Sequence, residues 1–310
     1  MNTTPTPRRF RRGIELGFRN GVAAVYGGEE PVGIDAQMGK GKFTRIIGVN
    51  TVSPRTTHFT KIITDVKDGE IAWTSWKTLE RQGYKSIFLN TDRLYGYPTE
   101  SYNPFTPVIE AAQRLELHGI VDNLAEDGAR FFIPIDPDSK AKWVGQGAVT
   151  MAGFYISSTA LFPSTRWPCT PGGVWDFFGR SREEVALDLM TWARDPQRKV
   201  SSGLAKLLTS LTESQDQWNA YSSVFMERFL TFRPGTAARA ATDRNSFDPA
   251  EMKRTRTALF IMGSARSRTS RNFVGSMTAA IIDRFADGHG PLRALIIGEE
   301  WGQLYVSNFY

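Results

Sequence analysis

Four short apolar runs constrain this chain more than anything else in it: 61–66 (KIITDV), 86–89 (SIFL), 258–262 (ALFIM) and 294–297 (ALII). Each is too short for a stable helix, rich in β-branched or bulky apolar side chains, and bounded by turn residues. Buried parallel strands look like this. Parallel neighbours require helical crossovers, and the intervening sequence supplies them. Residues 71–83 read as a helix ending on Gly83, which suits the left-handed position past a C-cap. Thr106-Pro107 opens another helix running to about Leu117, with proline at the first helical position. The expected fold class is α/β with a mainly parallel sheet.

Towards the N-terminus, 22–26 and 31–34 read as short strands broken by Gly27 and Gly28, and 45–49 as the first turns of a helix. Near residue 155 the pattern changes. Ser181 and Glu184 form a capping box ahead of Val185, Leu189 and Trp192, which share one helical face. Leu204, Leu207, Leu208 and Leu211 keep helical period, as do Trp218, Tyr221, Phe225 and Phe229. The expected organisation is therefore a basic arm (1–12), a first part of an α/β domain (13–154), an all-helical insert (155–235) and a second part (236–310). Asp248-Pro249 with Glu251 repeats the helix-start logic, and 276–285 reads as an amphipathic helix before the last strand.

Composition removes several function classes. Hydrophobic residues at 41% and charged residues at 23% of 310 are globular values and exclude wholesale disorder. A single cysteine, Cys169, excludes an internal disulfide and a cysteine-based zinc cluster, and His58, His118 and His289 are too scattered to suggest a histidine-rich metal site. No run approaches the ~18 apolar residues of a membrane-spanning helix, and no apolar signal region follows the basic opening, so a cytosolic or peripheral chain is expected.

The net charge of +6 is modest, and its distribution says more. Arg8, Arg9, Arg11, Arg12 and Arg19 crowd the first 20 residues against Glu15, as a solvated or lipid-facing arm would. Lys253, Arg254, Arg256, Arg266, Arg268 and Arg271 follow one another with no acid among them, interleaved with hydroxyls. Arginine forks suit phosphate oxygens, so the second cluster is a candidate contact to DNA or to another subunit.

Two motifs carry chemistry. The segment GIDAQMGKGK (33–42) lies between a strand and a helix start. A phosphate loop needs glycines whose amides converge on an anion, a helix N-terminus and one lysine. Gly39 and Lys40 fit, with Gly33, Gly41 and Lys42 as further candidates for nucleotide contact. Ile34 stands where the leading glycine belongs, and Gly41 replaces the magnesium-binding hydroxyl. The run ALIIGEE (294–300) is an apolar strand ending in Glu299 and Glu300, the form of a Walker B element, in which the first acid holds Mg²⁺ through water and the second polarises the attacking water.

In order and content these motifs resemble the conjugative type IV secretion coupling ATPases, the TraG/TraD-type proteins. GIELG (13–17) and 26–52 are similar to the family's lead-in and phosphate loop. DVKDGE (65–70) resembles its Asp-x-Lys-Gly-Glu strand end with Asp68 inserted. IFLN (87–90) with SYNP (101–104) matches its paired asparagine motifs, WVGQGA (143–148) its helix opening before the insert, SFDPA (246–250) its pre-strand segment, and EEWGQL (299–304) its Asp-Glu-Phe-Ala-x-Leu.

The resemblance spans about residues 13–304. It implies a RecA-like P-loop NTPase binding ATP and Mg²⁺, with Glu299 and Glu300 in catalysis and Glu299 at the metal. It further implies a hexameric ring moving single-stranded DNA, relaxase or relaxosome and secretion-channel partners, and a place at the cytoplasmic face of the bacterial inner membrane. The family continues past its acidic strand with further strands, whereas this sequence stops at Tyr310. The expectation is thus a nucleotide domain incomplete at its C-terminus. The rival expectation is an adaptor that docks DNA or secretion proteins without turnover.

Overall fold

The computed structural model describes residues 12–19, 22–28, 43–135, 139, 142–195 and 214–298. Strands β1 (Ile14–Arg19) and β2 (Val22–Tyr26) pair antiparallel as a separate ribbon, with an irregularity between Glu15 and Gly17. Strands β3 (Phe59–Asp65), β4 (Lys85–Asn90), β5 (Thr257–Met262) and β6 (Arg293–Gly298) form one sheet in the order β4-β5-β3-β6, every neighbouring pair parallel. The architecture is α/β, in keeping with the RecA-like class. The two central strands show why hydrophobic alternation is missing from their sequence: β5 is buried at every position and β3 at all but its first. The edge strands β4 and β6 begin exposed.

On one side of the sheet lie α1 (Gly48–Val52) and α2 (Glu70–Arg81), which cover Ile63, Phe88, Phe260, Leu295 and Ile297. The other side is far larger. Between β4 and β5 the described chain forms α3 (Thr106–Gln113), α4 (His118–Arg130), α5 (Lys142–Leu161), α6 (Pro171–Phe178), α7 (Arg182–Arg194), α8 (Gln215–Arg228) and α9 (Ala237–Thr242), and α10 (Arg268–Asp287) then crosses to β6. These helices and the facing sheet residues share one apolar core.

Several expectations are corrected here. The division at 154/155 falls inside α5, whose buried residues run on both sides of it, and the helical portion extends from Thr106 to Thr242. Helix α4 is faint in the sequence because its buried face, Val121, Ala125, Gly128 and Ala129, consists mostly of small residues. It packs closely on α5: a Cβ at Gly153 would lie 2.9 Å from Glu126 Cγ. Asp248 starts only the short 3₁₀ turn Pro249–Lys253. The capping box is present, with Ser181 and Glu184 bonded reciprocally. The expected strand 31–34 and the leucines of 204–211 lie outside the described residues.

Candidate functional site

Parallel α/β sheets bind ligands beyond the carboxyl ends of their strands, where loops leave the sheet and helix N-termini face inward. In this chain that edge is built by the segments after Asp65, Asn90, Met262 and Gly298. Fully buried Asp65 accepts a hydrogen bond through Oδ2 from the Ala72 amide at 2.9 Å, which anchors the first turn of α2 to the end of β3. Gly263 N donates to Asp65 O at 2.9 Å and Asp68 N to Gly263 O at 3.2 Å, so the β3–β5 pairing continues past both strands.

Two consecutive left-handed residues, Asp68 (φ 55°) and Gly69 (φ 79°), turn the chain from β3 into α2. Gly69 is glycine for a second reason: a Cβ there would lie 2.5 Å from Met262 Cε and 3.0 Å from Tyr95 Cε2. After β4, Asn90 Nδ2 donates to Leu94 O (2.9 Å) and Tyr97 O (3.1 Å), and its Oδ1 accepts from Leu94 N (2.9 Å). Its side chain therefore shapes its own loop. That loop holds Arg93 (φ 54°) and Tyr95 (φ 52°) in left-handed conformations, which cost about 1–2 kcal/mol each in residues with a Cβ.

The other motif residues prove architectural. Ser246 N donates to Ser101 O (2.8 Å), Ser101 N to Ser246 Oγ (2.8 Å) and Tyr102 N to Ala241 O (2.9 Å). Asn103 N donates to Asn245 Oδ1 (2.7 Å), and Asn103 Nδ2 to Cys169 O (2.9 Å). SYNP and SFDPA are thus two halves of one clasp, where the chain leaves the sheet for its helical excursion and where it returns.

The basic cluster does not stay together. Arg254 and Arg256 precede β5 and Arg266, Arg268 and Arg271 follow it, so the six-residue strand sets the two groups about 20 Å apart at opposite edges of the sheet. Arg254 pairs with Glu251 (3.1 Å) and donates to His289 O (3.1 Å), and Arg268 pairs with Glu227 at 2.5 Å. Arg271 donates to Ala265 O. Arg256 and Arg266 remain exposed. The linear cluster in the sequence is divided by β5, whose two ends carry its two halves.

Gly33, Gly39, Lys40, Gly41, Lys42, Glu299 and Glu300 lie outside the described residues. The nearest described residue to the acidic pair is Gly298, which pairs with Thr64, one residue short of Asp65. Among the described residues no group of three or more His, Cys, Asp or Glu is placed to hold a metal ion, and no helix is long and apolar enough to cross a membrane. No family model and no curated protein matches the chain.

Sequence reading missed an aromatic pair at this edge. Trp73, in the first turn of α2, stacks on Tyr95 with ring centroids 4.8 Å apart and planes at 23°. Both are half-exposed, at 59% and 49%. The signal was available: Ile71, Ala72, Ser75 and Leu79 are the buried positions of α2, and Trp73 falls off that face. Deep in the same side of the molecule, fully buried Lys61 donates from Nζ to Thr56 Oγ1 at 2.7 Å, and burial draws its ammonium down to about 7.

Proposed function

We propose that this chain is an ATP-dependent component of conjugative, type IV secretion DNA transfer, acting as a hexameric motor on single-stranded DNA at the cytoplasmic face of the bacterial inner membrane, with relaxase and channel proteins as partners. The observation that supports the reading best is one of placement. The apolar strand before Glu299-Glu300 is β6, in an all-parallel sheet, and its last described residue lies level with the buried carboxylate end of β3. Acids that follow such a strand emerge at the ligand-binding edge of an α/β sheet.

In this reading the Lys40 ammonium and the amides of Gly33, Gly39, Gly41 and Lys42 hold the phosphates, Glu299 holds Mg²⁺ through water, and Glu300 orients the attacking water. Glycine amides, one lysine and a carboxylate pair form a donor set whose chemistry suits a magnesium triphosphate. ATP·Mg²⁺ supplies the transferable phosphoryl group. The protein contributes positioning and charge stabilisation.

Heat of ATP binding in the presence of magnesium, and ATP turnover with and without single-stranded DNA, test the reading. Lys40→Ala should abolish both, and Glu300→Gln should preserve binding while lowering turnover by about 100-fold or more. Turnover unchanged by Lys40→Ala defeats the assignment. DNA binding that survives Lys40→Ala, in a protein with no heat of ATP binding, would favour the adaptor instead.

A further inference from the structure

The exposed stack of Trp73 and Tyr95 is the end of an aromatic series that starts inside the protein. Phe260 stacks on Phe88 (5.1 Å, 12°), Phe88 on Tyr97 (4.9 Å, 26°), and Tyr97 meets Trp76 edge-on (5.7 Å) and Tyr95 at 5.9 Å. The outer rings are thus fixed by the buried ones. Tyr95 is also held against Gly69 by a backbone that adopts the left-handed region at both Arg93 and Tyr95. Two large rings kept rigid and half in water, in a strained loop at the carboxyl edge of a parallel sheet, present an apolar face that packing does not require.

Cations accompany the rings. Exposed Arg93 lies two residues from Tyr95 and has no ion pair among the described residues. Asp92 Oδ2 accepts from Ser264 N (2.8 Å) and Ser270 Oγ (2.6 Å), which ties this loop to the segment carrying Arg266, also exposed and without an ion pair among the described residues. Lys77 lies over the Trp76 ring at 5.4 Å. Asp68 and Glu70 are exposed nearby, so the surface is mixed in charge.

The geometry points to Trp73 and Tyr95 as a stacking platform for the bases of single-stranded DNA, with Arg93 and Arg266 taking the adjoining phosphates. This rests on the DNA-transfer reading above and names the surface that grips the strand. Bases stack on aromatic side chains without regard to sequence, as a transported strand requires. The base of a bound nucleotide is the competing occupant, and topology argues against it. The platform follows β4, whereas Gly298, the last described residue before the acidic pair, ends β6 at the far side of the same carboxyl edge, three strand spacings or about 14 Å away.

The test is fluorescence anisotropy of a labelled oligodeoxythymidylate of about 20 nucleotides, titrated with the full chain at several salt concentrations. Trp73→Ala and Tyr95→Ala should each weaken binding about tenfold or more, while Trp73→Phe, which keeps a ring in place, should retain most of it. Arg93→Gln should lower the slope of log affinity against log salt by about 0.7. Heat of ATP binding should be the same in all four variants.

Alanine variants that bind the oligonucleotide as the parent does overturn the platform and leave the motor reading intact. A loss of ATP heat with unchanged DNA binding overturns it in favour of the nucleotide base. An unsubstituted protein that binds no oligonucleotide defeats the platform and the DNA half of the proposed function together. Platform-dependent DNA binding in a chain with no ATP heat would leave this inference standing and remove the motor.

Discussion

The two faces of β3 look onto two different kinds of protein interior. On one, Thr60, Ile62 and Thr64 meet the helical side, where an almost wholly apolar, aromatic core runs from Phe105 to Phe285. On the other, Lys61, Ile63 and Asp65 meet α1 and α2, and two of these three side chains are buried ionisable groups held by hydrogen bonds from or to neutral partners. Of the four left-handed non-glycine residues among the described residues, Asp68, Arg93 and Tyr95 lie in the loops that close this smaller side, and Leu115 joins α3 to α4 on the larger one. Burial of apolar area stabilises in proportion to its extent, whereas buried polar groups stabilise only when every bond is made. The large side therefore carries most of the stability of the fold, and the small side carries most of the backbone strain, two buried ionisable groups and the edge where a ligand would bind.

The largest effect expected from this contrast is in the helical core. Phe225 is 1% exposed and stacks on Phe178 with centroids 4.1 Å apart. Phe225→Ala should lower the free energy of unfolding in urea by about 5 kcal/mol, and Phe260→Ala, the same deletion in the small-side core, by about 3 kcal/mol. Equal losses from the two would erase the distinction.

The sheet was legible because its four strands are buried runs between turn residues, a pattern set by local chemistry alone. The capping box was legible for the same reason. The order of the strands was not, because nothing in KIITDV or ALFIM states that β5 inserts between β3 and β4. Helix α4 was lost because three of the four residues on its buried face, Ala125, Gly128 and Ala129, are small; Gly128 packs on Phe105, whereas Gly119 faces open space. The split of the arginines follows from strand direction, and the clasp between Ser101 and Ser246 from a contact across 145 residues. The Trp73–Tyr95 pair joins α2 to the turn after β4, so only half of it, a tryptophan off the apolar face, was present in the local pattern.

The next effect sharpens the contrast through pH. Lys61 donates to Thr56 Oγ1 at 2.7 Å and to Thr56 O and Asn50 O at 3.4 Å, with no carboxylate among these partners. Burial lowers its pKa from 10.5 to about 7, so between these values the unfolded chain holds a proton that the folded chain has released. Stability must then rise with pH in that interval, by about 2 kcal/mol between pH 7 and 9. His58, lowered by burial, contributes only below its ordinary value of 6.5. Tyr84 and Cys169, both raised to about 12 by burial, begin to subtract as pH nears their ordinary values of 10 and 9. Urea midpoints between pH 7 and 8.5, below the range where Cys169 titrates in the unfolded chain, should climb for the parent and stay level for Lys61→Met. A level parent curve would mean that Lys61 keeps its proton and that the small side accommodates a buried ammonium after all.

The smallest effect asks whether polar groups on the large side behave differently from Lys61. Thr64 Oγ1 and Thr278 Oγ1 lie 3.3 Å apart, buried between β3 and α10. Thr64→Val or Thr278→Val alone leaves one hydroxyl in an apolar interior without its partner and should cost about 1–2 kcal/mol. Changing both removes the unmet group together with the bond, so the double variant should lie near the parent, with a coupling of about 1 kcal/mol or more. A helical core built on apolar contact tolerates that exchange, because the pair is an isolated bond within packed hydrocarbon. Additive losses in the double variant would instead place both threonines in a wider polar network. The two faces of β3 would then differ in the size of their cores and no longer in how they hold polar groups.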